Sequence, residues 1–292
     1  MASPRQIRSR IRTAKNIQKI TYAMKMVAAA RLRRAQDAVS AARPYSEKIR
    51  EVMQSLGGKT AGVNHPLMRR AEGTPSSIGI VLITGDRGLC GAYNSAVIKK
   101  AVDLVKGYAP ERVSFVCIGK KGASFFRRRG YNVVAEHSVP ATGISFAEAQ
   151  KLSKTARDLF EQGSIDAMYL CYTQFVSAMT QRPQGLQILP LEPVEGATST
   201  GAGGGASTSY IFEPDPDQIL ASLLPRYVDT QVYQAVVESV ASEHGARMTS
   251  MSSATDNAGK MISRLTLTLN RARQATITKE IAEIVGGAEA LK

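Results

Sequence analysis

Two apolar periodicities, each far longer than an ordinary globular helix, bracket this chain of 292 residues. One runs from about Pro4 to Ser55, the other from about Asp217 to Lys292. Globular helices seldom exceed about twenty residues, and longer periodic runs point to a coiled coil, a membrane span or a repeat. At a rise of about 1.5 Å per residue these would be rods of roughly 75 Å and 110 Å. So much chain spent on rods predicts a strut, a lever or a shaft.

In the first run, apolar or small residues recur at Ile7, Ile11, Ala14, Ile17, Ile20, Met24, Val27, Leu32, Ala35, Val39, Ala42, Tyr45, Ile49, Val52 and Leu56. Their mean spacing is close to 3.5, the coiled-coil period. Ser3 before Pro4 is a good helix start, Gly57-Gly58 a good stop, and Pro44 predicts a kink. The second run follows Glu213-Pro214-Asp215-Pro216-Asp217, an extended segment ending in a capping residue. Its seam is His244, Met248, Met251, Thr255, Ala258, Ile262, Leu265, Leu269, Ala272 and Thr276, built in the middle of Ala, Thr and Ser, which lets helices approach closely. Pro225 predicts a bend or a short separate helix.

Between the runs the pattern changes. Ile78–Thr84, Val113–Ile118, Asn132–Ala135 and Ala167–Tyr172 read as strands, and Ala92–Lys106, Lys121–Arg129 and Ser145–Gln162 as helices. That alternation predicts a parallel or mostly parallel sheet. The expected fold is α/β: a long antiparallel coiled coil of N- and C-terminal helices with an inserted Rossmann-like α/β domain. The divisions are 1–56 for the first helix, 77–195 for the α/β domain, 196–212 for a flexible low-complexity tether and strand end, and 213–292 for the second helix. One helix enters the α/β domain and the other leaves it, so their pairing is antiparallel. With Ser55 beside Asp217, the first helix runs out roughly opposite residue 268, leaving about two dozen residues unpaired. That tip carries Ile277, Ile281, Ile284, Val285 and Leu291. An exposed apolar face needs a partner, so the tip predicts a socket.

The net charge is +14, and ten basic residues with no acidic one lie between Met1 and Gln36. Like charges at helical spacing destabilise a helix unless something outside balances them. A nucleic-acid arm, a transit peptide or a helix facing an acidic partner would each account for them. The stripe of Lys19, Lys25, Arg31, Arg33 and Arg34 lacks the interleaved aromatics of a nucleic-acid binder, and the heptads run through it, against a transit peptide. No window approaches the eighteen or so apolar residues that span a bilayer. Cys90, Cys117 and Cys171 lie far apart without a CxxC, and read as reduced, partly buried thiols. His65, His137 and His244 have no metal-ligand spacing. Gly85-Asp86-Arg87-Gly88-Leu89-Cys90-Gly91 follows a strand and opens a helix, where phosphate loops sit. It lacks the P-loop lysine and the dinucleotide spacing, and Asp86 would repel a phosphate, so it reads as a structural turn or a protein-contact loop. No catalytic constellation stands out and no cofactor is implied. A Rossmann-like nucleotide binder with helical arms for dimerisation and a coiled-coil nucleic-acid scaffold remain as rivals. A nucleotide titration and a steep salt dependence of binding, respectively, would reveal them.

Four segments carry a resemblance: Ile17-Gln18-Lys19-Ile20-Thr21-Tyr22-Ala23-Met24-Lys25-Met26-Val27-Ala28-Ala29, Asp86-Arg87-Gly88-Leu89-Cys90-Gly91, Ala254-Thr255-Asp256-Asn257-Ala258, and Asn270-Arg271-Ala272-Arg273-Gln274-Ala275-Thr276-Ile277-Thr278-Lys279-Glu280-Ile281. In this order they resemble the gamma subunits of F-type ATP synthases, of the bacterial type. The resemblance implies a non-catalytic rotor shaft inside a ring of three alpha and three beta subunits. The α/β domain would form a foot on the epsilon subunit and the membrane ring of c subunits, with one copy per complex and no nucleic acid. It implies a peripheral position on the cytoplasmic face of a bacterial plasma membrane; the start at Met1 without a leader agrees with that expectation. It places Met24 and Lys25 beside the acidic lever of a beta subunit, with Arg33 and Arg34 in the complementary basic stripe. Arg273 and Gln274 fall where the upper shaft meets a beta-subunit loop, with Thr278 and Glu280 close by. Asp86, Arg87 and Gly88 become a contact loop against the hexamer's lower rim or another shaft segment. The inserted loop and cysteine pair of plastid relatives are missing, so thiol control of rotation is not expected.

Overall fold

The computed structural model describes residues 3–57, 65–69, 73–140, 143–191 and 216–289. Along the chain these form α1 (Pro4–Gly57), β1 (Ile78–Ile83), α2 (Tyr93–Val105), β2 (Val113–Ile118), α3 (Lys120–Arg127), β3 (Asn132–His137), α4 (Phe146–Glu161), β4 (Ala167–Phe175), β5 (Gln181–Leu189) and α5 (Pro216–Glu289). Short 3-10 turns at Pro66–Met68 and Pro110–Arg112 complete the described elements. The tether expected at 196–212 lies outside the described residues.

The two rods are helices of 54 and 74 residues. At the start of α1, the Gln6 N–H donates to Ser3 Oγ at 3.4 Å and the Ser3 N–H donates to Gln6 Oε1 at 3.2 Å. Two orphan donors are thus satisfied reciprocally, as in a capping box. The helix is unbroken across Pro44 and ends at Gly57. α5 begins at Pro216, one residue ahead of the expected cap, and runs through Pro225, so no separate short helix forms there. A proline inside a helix costs about 3 kcal/mol or more. Here Leu224, Val228 and Val232 around it are at most 1 % exposed, and burying each such side chain contributes about 1.5–3 kcal/mol. Packing holds the helix through the proline.

The sheet has the order β3-β2-β1-β4-β5, with β1 to β4 parallel and β5 antiparallel to β4. β1 (IGIVLI) is buried at every position, as a central strand covered on both faces must be. β5 was not anticipated. Its sequence QRPQGLQIL contains a proline, a glycine and three glutamines, and a proline fits only an edge strand, where no ladder donor is missed. Its Gly185 lets α2 approach: a Cβ there would lie 2.9 Å from Leu104 Cδ1. β3 and β4 also run longer than expected, to His137 and Phe175. On one side α2 and α3 enclose Ile78, Ile80, Leu82, Phe115 and Phe126 in the main core, with Phe115 and Phe126 stacked at 4.0 Å.

The chain divides into two compact units, Ala29–Ala246 and a paired-helix unit of Met1–Ala28 with Arg247–Lys292. α1 and α5 each contribute to both.

Candidate partner-contact surfaces

In the paired-helix unit, the Thr21 and Thr255 hydroxyls lie 2.9 Å apart, and a Cβ on Gly259 would meet Gln18 Nε2 at 3.2 Å. Numbers fall along α1 as they rise along α5, so the pair is antiparallel. That register sets Ile7 across from Leu269, Ala14 from Ile262, Lys25 from Met251 and Ala28 from Met248. The α5 seam follows the expected heptad, with Met251 and Ala258 buried and Ile262, Leu265 and Leu269 half-buried.

The α1 seam does not follow the expectation. Its covered positions are Ile7, Ile11, Ala14, Gln18, Thr21, Lys25, Ala28, Leu32, Ala35, Val39, Ala42, Ser46, Ile49 and Met53, in an unbroken alternation of four and three. Ile17, Ile20 and Val27, taken from the sequence as seam residues, are 49 %, 58 % and 52 % exposed; Tyr45 is exposed too and Met24 half-buried. Each of Ile17, Ile20, Met24 and Val27 precedes a seam residue by one, a rotation of about 100° around the helix. The physical reason is size. Where Gln18 and Thr21 face Ala258 and Thr255 the helices meet through small and polar residues and approach closely, so Ile17 and Ile20, one position round the helix, face outward. They form a second apolar stripe.

Opposite the first residues of α1 the register reaches about residue 272. Ala272 is half-buried, and from Arg273 to Gly286 every α5 residue is exposed. Among them Ile277, Ile281, Ile284 and Val285 are 47 %, 56 %, 72 % and 60 % exposed. The unpaired tip is therefore about four residues shorter than the sequence estimate, and just as apolar. Thr276, expected in the seam, is exposed because its partner helix has ended.

In the unit of Ala29–Ala246 the Gly-rich loop is braced from two sides. Asp86 Oδ1 accepts the Lys120 N–H at 2.9 Å, which puts a carboxylate at the N-terminus of α3. Asn94 Oδ1 accepts the Gly85 N–H at 2.8 Å, while its Nδ2 donates to Arg87 O at 3.3 Å. Gly119 (φ +106) leaves no room for a side chain, since a Cβ would lie 2.0 Å from Thr84 O. At the loop's crest Leu89 has φ +63 and is 61 % exposed. A left-handed leucine costs roughly 1–2 kcal/mol, which the bracing on both sides sustains. The sequence marks Leu89 only as part of the Asp86–Gly91 loop; its left-handed backbone is invisible there.

In open α/β sheets ligands enter outside the carboxyl ends of the strands where the order reverses, here between β1 and β4. α5 fills that position. A Cβ on Gly85, just beyond β1, would lie 3.0 Å from the Glu243 carboxylate. Beyond β1's last pairing with β4, the Thr173 N–H donates to Ser239 Oγ at 3.2 Å and Ser242 Oγ donates to Thr173 O at 3.0 Å. Burial and the neighbouring Glu238 carboxylate push the Tyr172 hydroxyl up to about 12, with Arg50 of α1 pulling the other way. Cys117 and Cys171 are likewise pushed up to about 12 by burial, which keeps them protonated and inert.

The expected site residues fall in three places. Met24 and Lys25 lie near the Ala28 end of the paired-helix unit, with Lys25 itself a half-buried seam position. Arg273, Gln274, Thr278 and Glu280 are all exposed on the unpaired tip, roughly 33 Å further along α5 than the residue facing Lys25. In the other unit Arg33 and Arg34 are exposed on α1, Arg87 and Gly88 are exposed on the loop, and Asp86 is half-buried by its cap. No described helix is long and apolar enough to cross a membrane.

The family model described as "ATP synthase" matches residues 3–291. The gamma chain of Heliobacterium modesticaldum ATP synthase is 48 % identical over 293 residues, covering all of both chains. That of Symbiobacterium thermophilum is 48 % identical over 98 % of this chain and 97 % of its own. Among solved structures, a chain of the Euglena gracilis mitochondrial ATP synthase superposes with a TM-score of 0.69 at 20 % identity, covering 99 % of this chain and 94 % of its own. A chain of the Tetrahymena thermophila central stalk gives 0.61 at 24 % identity, over 80 % and 99 %. With helix pairing, filled sheet crevice and whole-length similarity in agreement, the chain belongs to the family of ATP synthase gamma chains, the non-catalytic central-stalk subunits of F-type ATP synthase.

Proposed function

We propose that this chain is the rotor shaft of a bacterial F-type ATP synthase, turning inside a ring of three alpha and three beta subunits. Its foot, the α/β region 77–195, rests on the epsilon subunit and the c-subunit ring at the cytoplasmic face of the plasma membrane. The observation that carries this reading is the tip of α5, which continues past its partner helix with Ile277, Ile281, Ile284 and Val285 open to a surrounding sleeve. Apolar area of that kind is stable only when another surface covers it.

The mechanism follows from symmetry. One shaft without threefold symmetry cannot meet three beta subunits identically, so each is biased toward a different conformation and nucleotide affinity. Proton-driven turning carries the bias around the ring, and ATP hydrolysis drives it backward. The shaft touches no reacting atom. Met24, Lys25, Arg33 and Arg34 meet the acidic lever of a beta subunit, where charge complementarity guides the contact. Arg273, Gln274, Thr278 and Glu280 hold the upper loop of one beta subunit, and Asp86, Arg87 and Gly88 meet the lower rim.

The test is reconstitution with matching alpha and beta subunits, with a bead fixed to the α/β region. Stepping of about 120° that depends on ATP is the expected result for a threefold ring. A chain that stays outside the hexamer, or enters without turning, removes the reading.

A further inference from the structure

The two compact units share α5, but torque can pass along α5 only if the helix is fixed against rolling where it crosses the sheet. Apolar burial is non-directional, so contacts of fixed geometry add to what close packing does against rolling. The structure supplies directional contacts at two levels. At the upper one, Thr173 and Phe175 of β4 face the gap left where β1 ends, because β1's last partner on β4 is Cys171. Ser239 and Ser242, three apart and so on one face of α5, take the N–H and the carbonyl of Thr173. Glu238 Oε2 accepts the Phe175 N–H at 3.4 Å. At this level α5 substitutes for the missing continuation of β1.

The lower level is about 15 Å down the helix, ten residues away. Asp229, with its side chain 3 % exposed, pairs with Arg157 of α4 at 3.2 Å. The same carboxylate accepts from Ser153 Oγ and, at 3.3 Å, from Gln150 Nε2. A rod fastened at one point can pivot; fastened at two separated points, it can neither tilt nor roll without breaking bonds.

We propose that the Ser239–Ser242 latch on Thr173 and the Asp229–Arg157–Ser153 pair form a two-point torsional key that transmits torque between the α/β domain and α5. This rests on the rotor reading. The key residues are positioning residues, and their loss softens the rotor without altering nucleotide chemistry.

The experiment uses the chain assembled with its alpha and beta subunits, with a magnetic bead on a K99C attachment on α2, whose side chain is exposed. Angular fluctuation is recorded in a stalled hexamer and stepping is recorded under ATP. Removing two net hydrogen bonds in S239A/S242A weakens the seated helix roughly thirtyfold, read as angular variance at least about twofold above the parent. Stepping at low load persists. V97A, a cavity in the core cluster between α2 and the sheet, which contains no α5 residue, lowers thermal stability while leaving the variance unchanged. D229N is expected to soften the rotor in the same way; should it fail to fold, the serine pair alone decides. A turning parent with serine variants of unaltered stiffness, or a V97A rotor as soft as they are, overturns the key. A parent that never turns removes the rotor reading and the key together.

Discussion

Replacing Ala28 with leucine separates a packed seam from an outward stripe one residue away. Ala28 is 1 % exposed and the register sets it across from Met248. Forcing extra carbons into a closed seam costs about 1–3 kcal/mol. At about 1.4 kcal/mol per decade, that lowers the protection of coil amides roughly five- to 150-fold. Val27, its neighbour, is 52 % exposed, and a surface substitution there stays within about 0.5 kcal/mol, little more than a twofold change. The assay is hydrogen exchange by mass spectrometry on the isolated chain, following peptides that cover 7–28 and 247–272. In assembly with the alpha and beta subunits the ranking reverses: V27S with I20S lowers incorporation, because those side chains face outward. If V27S cost the isolated chain as much protection as A28L, the seam would run through Ile20 and Val27. The register read from Thr21 and Thr255 would then be wrong.

G119A is expected to destabilise the α/β domain by more than about 3 kcal/mol, since both its conformation and the contact with Thr84 O forbid a side chain; thermal unfolding checks it. Cys117 and Cys171 should resist thiol reagents at pH 8 in the native chain and react at once in urea. Their raised values, about 12, mean the folded state holds its protons more tightly. The stability they confer is therefore full below about pH 9 and is lost as pH climbs toward 12, by roughly 1 kcal/mol per thiol per unit; C117A/C171A should flatten that part of a pH–stability curve. Asp166 accepts hydrogen bonds from the backbone and hydroxyls of Ser76 and Ser77, which hold its carboxyl below the usual range. Its contribution is present above about pH 4 and lost on acidification, and D166A should cost about 1–2 kcal/mol at neutral pH.

Much of the architecture is legible because it depends on periodicity and burial. The α5 seam reads correctly since its apolar residues are also its covered ones. On α1 the same rule fails at Ile17, Ile20 and Val27, where hydrophobicity marks an outward apolar stripe and the seam itself is built of Gln18, Thr21, Lys25 and Ala28. Period alone holds the answer there: a strict four-three alternation from Ile7 to Met53 takes in Gln18, Thr21, Lys25 and Ala28 and passes over Ile17, Ile20 and Val27. β5 stays hidden because an edge strand with Pro183 and Gly185 carries neither alternation nor an apolar run. The bracing of the Gly-rich loop is hidden for another reason. Asp86 and Lys120 meet only after β1 and β2 pair, a contact that no local pattern encodes.

The filled crevice explains why a sheet of this topology does mechanical work. The two features that normally receive a nucleotide are the switch point and a helix N-terminus beyond a strand. Both are present, and both are taken by the chain itself. Asp86 occupies the N-terminus of α3 with a negative charge, the sign that a phosphate would bring. Ser239, Ser242 and Glu243 of α5 occupy the switch point. An open crevice would leave the edge groups of Thr173 and Phe175 to a ligand; closed by α5, it converts the same groups into a fastening. The geometry that positions a substrate in other α/β folds here positions a shaft.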